Sequence, residues 1–303
     1  MKHFTRILLT LSLGLFAVHA QSMDTTELQL ENANKVVFKV RFANGSIADP
    51  AGKEGLTMAT ASLMGQGGAG GMGYAEIQDM LHPWAAGYSF NVDKQVTTFT
   101  FQVPVDFVDE FYPVMKAVIL SPNFDEQDFS RTQQQQQNYV DQVVRASSDE
   151  DYSKFALEHQ LFRGGNMAHL VAGTSAAVKS LTLDDIKSHY ANAFTRNNVS
   201  LGIAGNYDDE LLEQFSKDMF ELSDAASASA QPSAARQANG IEVEIIAKDG
   251  AFGSAIFTGA PLGITRANDE FAAMMIANSW MGEHRKSYSR LYQKIRETRS
   301  MNY

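Results

Sequence analysis

Cysteine is absent from the 303 residues, which excludes disulfides, thiol nucleophiles and Cys-rich metal sites. Beyond residue 20 no apolar run is long enough to cross a bilayer. Basic charge is also short, with 25 Lys and Arg against 35 Asp and Glu and a net charge of −10. An acidic chain has little to offer a phosphate backbone, so nucleic acid is a poor candidate partner. No His-Glu dipeptide occurs, so H-E-x-x-H is missing, and neither G-x-S-x-G nor a P-loop pattern is present. The five histidines beyond residue 20, His82, His159, His169, His189 and His284, show no metal-ligand spacing and read as surface or core residues.

What is present begins with an export signal. Lys2 and Arg6 precede an apolar run from Ile7 to Val18, and Val18 and Ala20 are small residues ahead of Gln21. Residues 1–20 therefore read as a secretory signal peptide, and the expected location is the periplasm. Removing Lys2 and Arg6 takes the 25 basic side chains to 23 against 35 acidic ones, a net of −12. A second break in composition, SDAASASAQPSAARQAN over 223–239, reads as a linker between a region at 21–222 and another at 240–303.

Apolar periodicity supplies the elements. A strand is expected over Val36–Phe42, a helix from about Glu54 to Met64, a glycine-rich loop over Gly65–Gly73 and a helix over 74–81. Tyr88–Val92 and Val96–Val105 alternate apolar and polar residues on either side of Asp93-Lys94-Gln95, the pattern of a hairpin. Phe107, Phe111, Met115 and Val118 lie at helical spacing, with Pro113 kinking that helix or marking its start. Asn123 with Glu126 predicts the cap of a long helix whose Gln133–Gln137 run forms a solvated face. Asp149-Glu150-Asp151 reads as a solvated acidic turn.

Thr182 caps a further helix, and 198–205 forms a short buried strand. Strands at 241–247 and 253–259 and a helix at 268–281 complete the expectation. The class is α+β, with helices on one face of an antiparallel-rich sheet. The glycine loop matches G-x-G-x-x-G twice, with Asp93 twenty residues on. A dinucleotide site needs a strand directly before that loop, whereas a helix is expected here. A flexible connection beside a cleft is the preferred reading.

Residues 55–67, GLTMATASLMGQG, resemble the helix of the insulinase/pitrilysin family of zinc peptidases, where H-x-x-E-H supplies two metal ligands and a base. The three chemical positions fall on Met58, Ala61 and Ser62, none of which is an imidazole or carboxylate. Leu120-Ser121-Pro122-Asn123-Phe124, Leu170–Thr174 with Leu181-Thr182, and Asn197–Asn206 also resemble family segments in order and spacing. SRLYQKIRETRSMNY, residues 289–303, is similar to the Ser-Arg-Leu segment followed by an arginine and a tyrosine seven apart, here Arg296 and Tyr303.

The resemblance implies two related insulinase-like units, each a sheet with helices on one face. The first is 21–222, and 240–303 is the start of a second, incomplete one. It also implies that the Arg296/Tyr303 pair reaches a zinc site, where a guanidinium and a phenol can steady an oxyanion. This chain departs from the pattern three times. Met58, Ala61 and Ser62 replace ligands and base; no glutamate lies between Gln127 and Asp149, where the family places its remaining ligand; and Ser300 stands where glycine is common. The implied protein binds no metal itself and partners an H-x-x-E-H-bearing subunit that holds the zinc and cleaves peptides. The alternative is a non-catalytic peptide-binding or structural module on the same fold.

Overall fold

The computed structural model describes residues 23–301 apart from 147, 227–229, 251–252 and 284. The expected signal peptide, His284 and Tyr303 thus lie outside the described residues. The chain divides into two compact units, one running to residue 234 with 248–256, the other comprising 235–247 and the residues from 257 onward.

The first unit is built on a five-stranded sheet. Its strands are β1 (Asp24–Gln29), β2 (Lys35–Phe42), β3 (Gly87–Val92), β4 (Thr97–Pro104) and β5 (Val199–Gly205). They are ordered β1-β5-β2-β4-β3, antiparallel throughout except where β1 runs parallel to β5. Around the sheet the chain forms α1 (Leu56–Gln66), α2 (Tyr74–Leu81), α3 (Val108–Leu120), α4 (Glu126–Asn138), α5 (Val144–Ala146), α6 (Asp149–Phe162), α7 (Ser175–Ser180), α8 (Leu183–Ala193) and α9 (Asp209–Met219). The mixed α+β class read from periodicity is the observed one.

Alternation along the strands explains why one face is covered. Val36, Phe38, Val40 and Phe42 of β2 are buried, as are Phe99, Phe101 and Val103 of β4 and Leu201 and Ile203 of β5. Register places Phe38 between Phe101 and Ile203, and Val40 between Phe99 and Leu201, so all three strands present their apolar rows on the same side. Phe111 and Met115 of α3 and Phe215 and Met219 of α9 belong to the same core. Phe38 meets Phe215 edge to face at 5.2 Å. Each fully buried aromatic of this kind contributes roughly 1.5–3 kcal/mol through the area it removes from water. Asp218 is buried at the end of α9, where the Tyr112 hydroxyl donates to it at 2.9 Å and Lys116 pairs with it at 3.0 Å. Burial and the Asp218 charge hold the Tyr112 hydroxyl well above its ordinary pKa.

Several local expectations are corrected. The cap of α4 is Asp125, which accepts from the Gln127 N–H at 2.7 Å, because Phe124 takes a left-handed φ of 49° and delays the helix. Asn123 works backwards instead, accepting from the Gly71 N–H and donating to the Met72 carbonyl, both at 2.9 Å. The glycine loop it grips is pinned rather than loose, since Gly68 also donates to Asp128 and Gly70 to the Ser121 carbonyl.

Pro113 sits inside α3, which runs on past it, so it does not mark the start. The acidic triplet is the first turn of α6, capped by Ser148, where three carboxylates favour the helix dipole. The glutamine run is only half solvated: Gln134 and Gln135 are exposed, whereas Gln136 is buried and Gln133 and Gln137 are partly so. Of the expected linker, Ser233 is held by Asn166, to whose side-chain oxygen its N–H donates at 2.8 Å.

The second unit contains α10 (Phe271–Gly282) and a π-helical segment at Tyr292–Glu297. The strands expected at 241–247 and 253–259 are not formed among the described residues. A strand needs a partner to satisfy its backbone, and no described strand pairs with these segments. Ile241, Val243 and Ile245 consequently stand exposed. The expected second sheet is therefore not seen among the described residues.

Candidate functional site: the α1 helix and its entry

α1 carries the segment that resembles the family's motif helix, and most of it is buried. Thr57, Ala59, Thr60, Ala61, Leu63 and Met64 are buried, leaving Met58, Ser62 and Gln66 as the less covered stripe at four-residue spacing. Ala61 is fully buried within the main core, and Met58 packs against that core. The methyl group of Ala61 can neither hold a metal nor take a proton, and Ser62 offers only a neutral hydroxyl. This side-chain set does not fit zinc, which is held by imidazole, thiolate or carboxylate. No group of three or more His, Asp or Glu suited to a metal occurs among the described residues.

The long helix contributes amides where a carboxylate ligand was sought. Gln136 of α4 donates from Nε2 to the carbonyls of Gly55 and Ala172, both at 2.9 Å, which pins the entry of α1 to the segment before α7. Gln133 likewise donates to the carbonyls of Val178 and Leu181. The fit is close enough to demand glycine twice. Gly55 has φ 98° with Ala172 against it, and a Cβ on Gly173 (φ 83°) would overlap the Glu54 carbonyl.

Asp49, just ahead of α1, holds the first turn. Its Oδ2 accepts from the Gly55 N–H at 2.7 Å and its Oδ1 from the Thr57 N–H at 2.8 Å and the Thr57 hydroxyl at 2.6 Å. Burial raises the Asp49 carboxyl to about 6, against the opposing pull of those hydrogen bonds and of the His169 charge. The same Thr57 hydroxyl lies 2.9 Å from Nε2 of His189 on α8, whose pKa burial lowers to about 4. Thr57 is fully buried and cannot serve as a nucleophile toward a solvent-borne substrate. Asp49, Thr57 and His189 escape a reading of the sequence, because no spacing links residues 132 positions apart.

Arg296 falls in the π-helical segment of the second unit, partly buried, with its guanidinium carbon 5.2 Å from the centroid of the Tyr292 ring. Tyr303 is outside the described residues, so the pair's geometry is not on view. Ser300 adopts a left-handed φ of 52°, the conformation that glycine takes at least cost.

Residues 180–303 match the family model described as the peptidase M16 inactive domain. Among curated proteins, the chain is 24% identical over 220 residues to a non-peptidase homologue, YmxG, of Helicobacter pylori, covering 66% of this chain and 48% of that protein. The chain thus spans about half the length of the curated relative it matches. Its fold is similar to the crystal structure of a peptidase M16 inactive domain from Pseudomonas fluorescens, with a TM-score of 0.76 and 19% identity over 94% of this chain and 68% of that one. A protease from Helicobacter pylori shares the fold at a TM-score of 0.60 and 16% identity, covering 69% of this chain and 51% of the other. Fold alone therefore does not separate protease from non-peptidase. The chain is insulinase/pitrilysin-like, similar to the inactive, non-peptidase representatives of the M16 group, and it lacks the side chains of H-x-x-E-H.

Proposed function

We propose that this protein is an exported, non-catalytic insulinase-like subunit that works beside a second chain bearing H-x-x-E-H. The observation that carries the reading is the side-chain set on α1: Ala61 is buried in the core and Met58 and Ser62 lie on the less covered stripe beside it, at positions the family resemblance gives to the zinc ligands and the base. Similarity to an inactive domain and to a non-peptidase homologue supports it. In this reading the partner holds zinc and performs peptide hydrolysis, while this chain supplies part of the wall of an enclosed chamber. Arg296 and Tyr303 would extend to the partner's site, where a fixed positive charge and a phenol hydrogen stabilise the tetrahedral oxyanion. The π-helical turn around Arg296 suits this role, since such turns recur at functional sites. The N-terminal signal pattern directs the protein to the periplasm.

The test measures zinc content and peptide cleavage by the full chain, alone and mixed with a motif-bearing relative. No hydrolysis alone, and cleavage by the mixture that Arg296→Ala reduces at least tenfold, is the expected outcome. Hydrolysis with stoichiometric zinc in the isolated chain overturns the reading. Turnover by the mixture that Arg296→Ala leaves unchanged removes the pair's role and favours a peptide-binding or structural module.

A further inference from the structure

We infer that Asp49, Thr57 and His189 form a proton-responsive latch between α1 and α8, in which uptake of one proton at Asp49 reverses the direction of every hydrogen bond in the row. The argument rests on donor counting. Thr57 has one hydroxyl hydrogen. While Asp49 is a carboxylate, that hydrogen goes to Oδ1 at 2.6 Å, so the Thr57 oxygen can only accept from its other neighbour, Nε2 of His189 at 2.9 Å. His189 is then neutral and carries its hydrogen on Nε2.

Protonating Asp49 changes each assignment. The two other contacts of its carboxyl are the N–H groups of Gly55 and Thr57, both donors. The only observed contact that can accept the new carboxyl hydrogen is the Thr57 hydroxyl oxygen. Thr57 must then turn its own hydrogen toward Nε2 of His189, which has to be bare. The hydrogen leaves Nε2 for water and another is taken from water at Nδ1, so the ring stays neutral and the protein gains one proton in all. His189 is partly rather than fully buried, and the exchange requires its ring to reach water.

The number of hydrogen bonds is unchanged, so the entry of α1 keeps its side-chain cap as the medium acidifies. The latch fails only when the imidazole itself is protonated. Burial defers that event well below the ordinary histidine range and brings Asp49 into the mildly acidic one.

The charged groups around the row are consistent with this order. His169 faces Asp49 and favours its ionised form. Lys53, ahead of α1, and Asp185 of α8 pair with each other at 2.8 Å, and Glu54 accepts from the Gly52 N–H. From α4, Asp128 and Arg131 bind at the opposite end of α1 and pair with each other at 2.8 Å. His189 itself abuts the ring of Phe194, which carries no charge.

The experiment records two-bond proton–nitrogen spectra of the full chain with 15N-labelled histidine from pH 7.5 to pH 5, assigning His189 by its loss in His189→Asn. The expected result is an exchange of the two nitrogen shifts of a neutral ring, Nε2–H above the Asp49 titration and Nδ1–H below it. A ring that stays Nε2–H throughout, or that becomes imidazolium near pH 6.5, overturns the latch. Thr57→Val should abolish the pH-dependent exchange. Asp49→Asn, which has no carboxyl proton to gain, should hold His189 in a single neutral tautomer over the whole range. Persistence of the exchange in either variant also overturns it.

Discussion

The two units treat similar sequence patterns in opposite ways. In the first, Phe38, Val40 and Phe42 alternate with Lys39 and Arg41, pair on both sides and are fully buried. In the second, Ile241, Val243 and Ile245 alternate just as regularly with Glu242 and Glu244, yet Ile241 is 95% exposed. Apolar alternation is a demand for a covering layer, and only the first unit meets it among the described residues. The helices repeat the lesson: α3 buries Phe111, Met115 and Val118, whereas α10 buries no residue despite its Phe-Ala-Ala-Met-Met-Ile sequence. The first unit owns its core; the second displays the material of one.

The sharpest way to break this comparison is a pair of truncations read by urea unfolding. Phe38→Ala should cost about 3–5 kcal/mol, the range for a large core aromatic. Ile245→Ala should change stability by no more than about 0.5 kcal/mol, as exposed positions do. Equal losses would show that residues 241–247 are covered in solution.

Gln136→Ala comes next. It strips the Gly55 and Ala172 carbonyls of a shared donor in a buried place, and about 1–3 kcal/mol should be lost from the first unit.

The pH profile is a subtler probe, and its two contributions have opposite signs. The Asp49 carboxyl binds its proton more tightly folded than unfolded, so its contribution is full below its ordinary value of 3.8 and disappears as pH rises through about 6. His189 binds its proton less tightly when folded, so its contribution is full above 6.5 and is lost as pH falls toward about 4. Asp49→Asn should therefore leave a first unit whose stability only rises with pH between 4 and 6.5, measured by unfolding at fixed ionic strength.

The smallest effect is expected at Ser300, whose left-handed backbone disfavours a side chain. Ser300→Gly should stabilise that turn by up to about 1 kcal/mol. Slower proteolysis near residue 300, with the first unit's midpoint unchanged, would register it.

Much of this architecture was legible in local pattern. The hairpin β3–β4 stands out because period-two alternation brackets the polar Asp93-Lys94-Gln95; the turn itself also takes in Val96, and Asp93 accepts from the Gln95 and Val96 N–H groups. The Thr182 cap is equally local, with Asp185 completing its box. Features set by distant contacts were not legible. Asn123 looked like a helix cap because nothing nearby reveals that Gly71 and Met72 return to meet it. The glutamines looked solvated because their carbonyl partners lie 36 to 81 residues away. Thr25-Thr26-Glu27 carries no apolar period, so β1 is recognisable only by its ladder to β5. At the candidate site, the absence of an H-x-x-E-H pattern is legible in the sequence itself, whereas His189 is joined to Thr57 by folding alone.

The strand order carries a consequence for how the molecule comes to exist. β5 lies between β1 and β2 in space, although β2 ends at Phe42 and β5 begins only at Val199. Until residues 199–205 arrive, β1 has no neighbour and β2 keeps one edge open. The sheet is a clasp fastened by its last piece, so a chain halted before residue 199 retains the hairpin yet has no means of seating its own beginning.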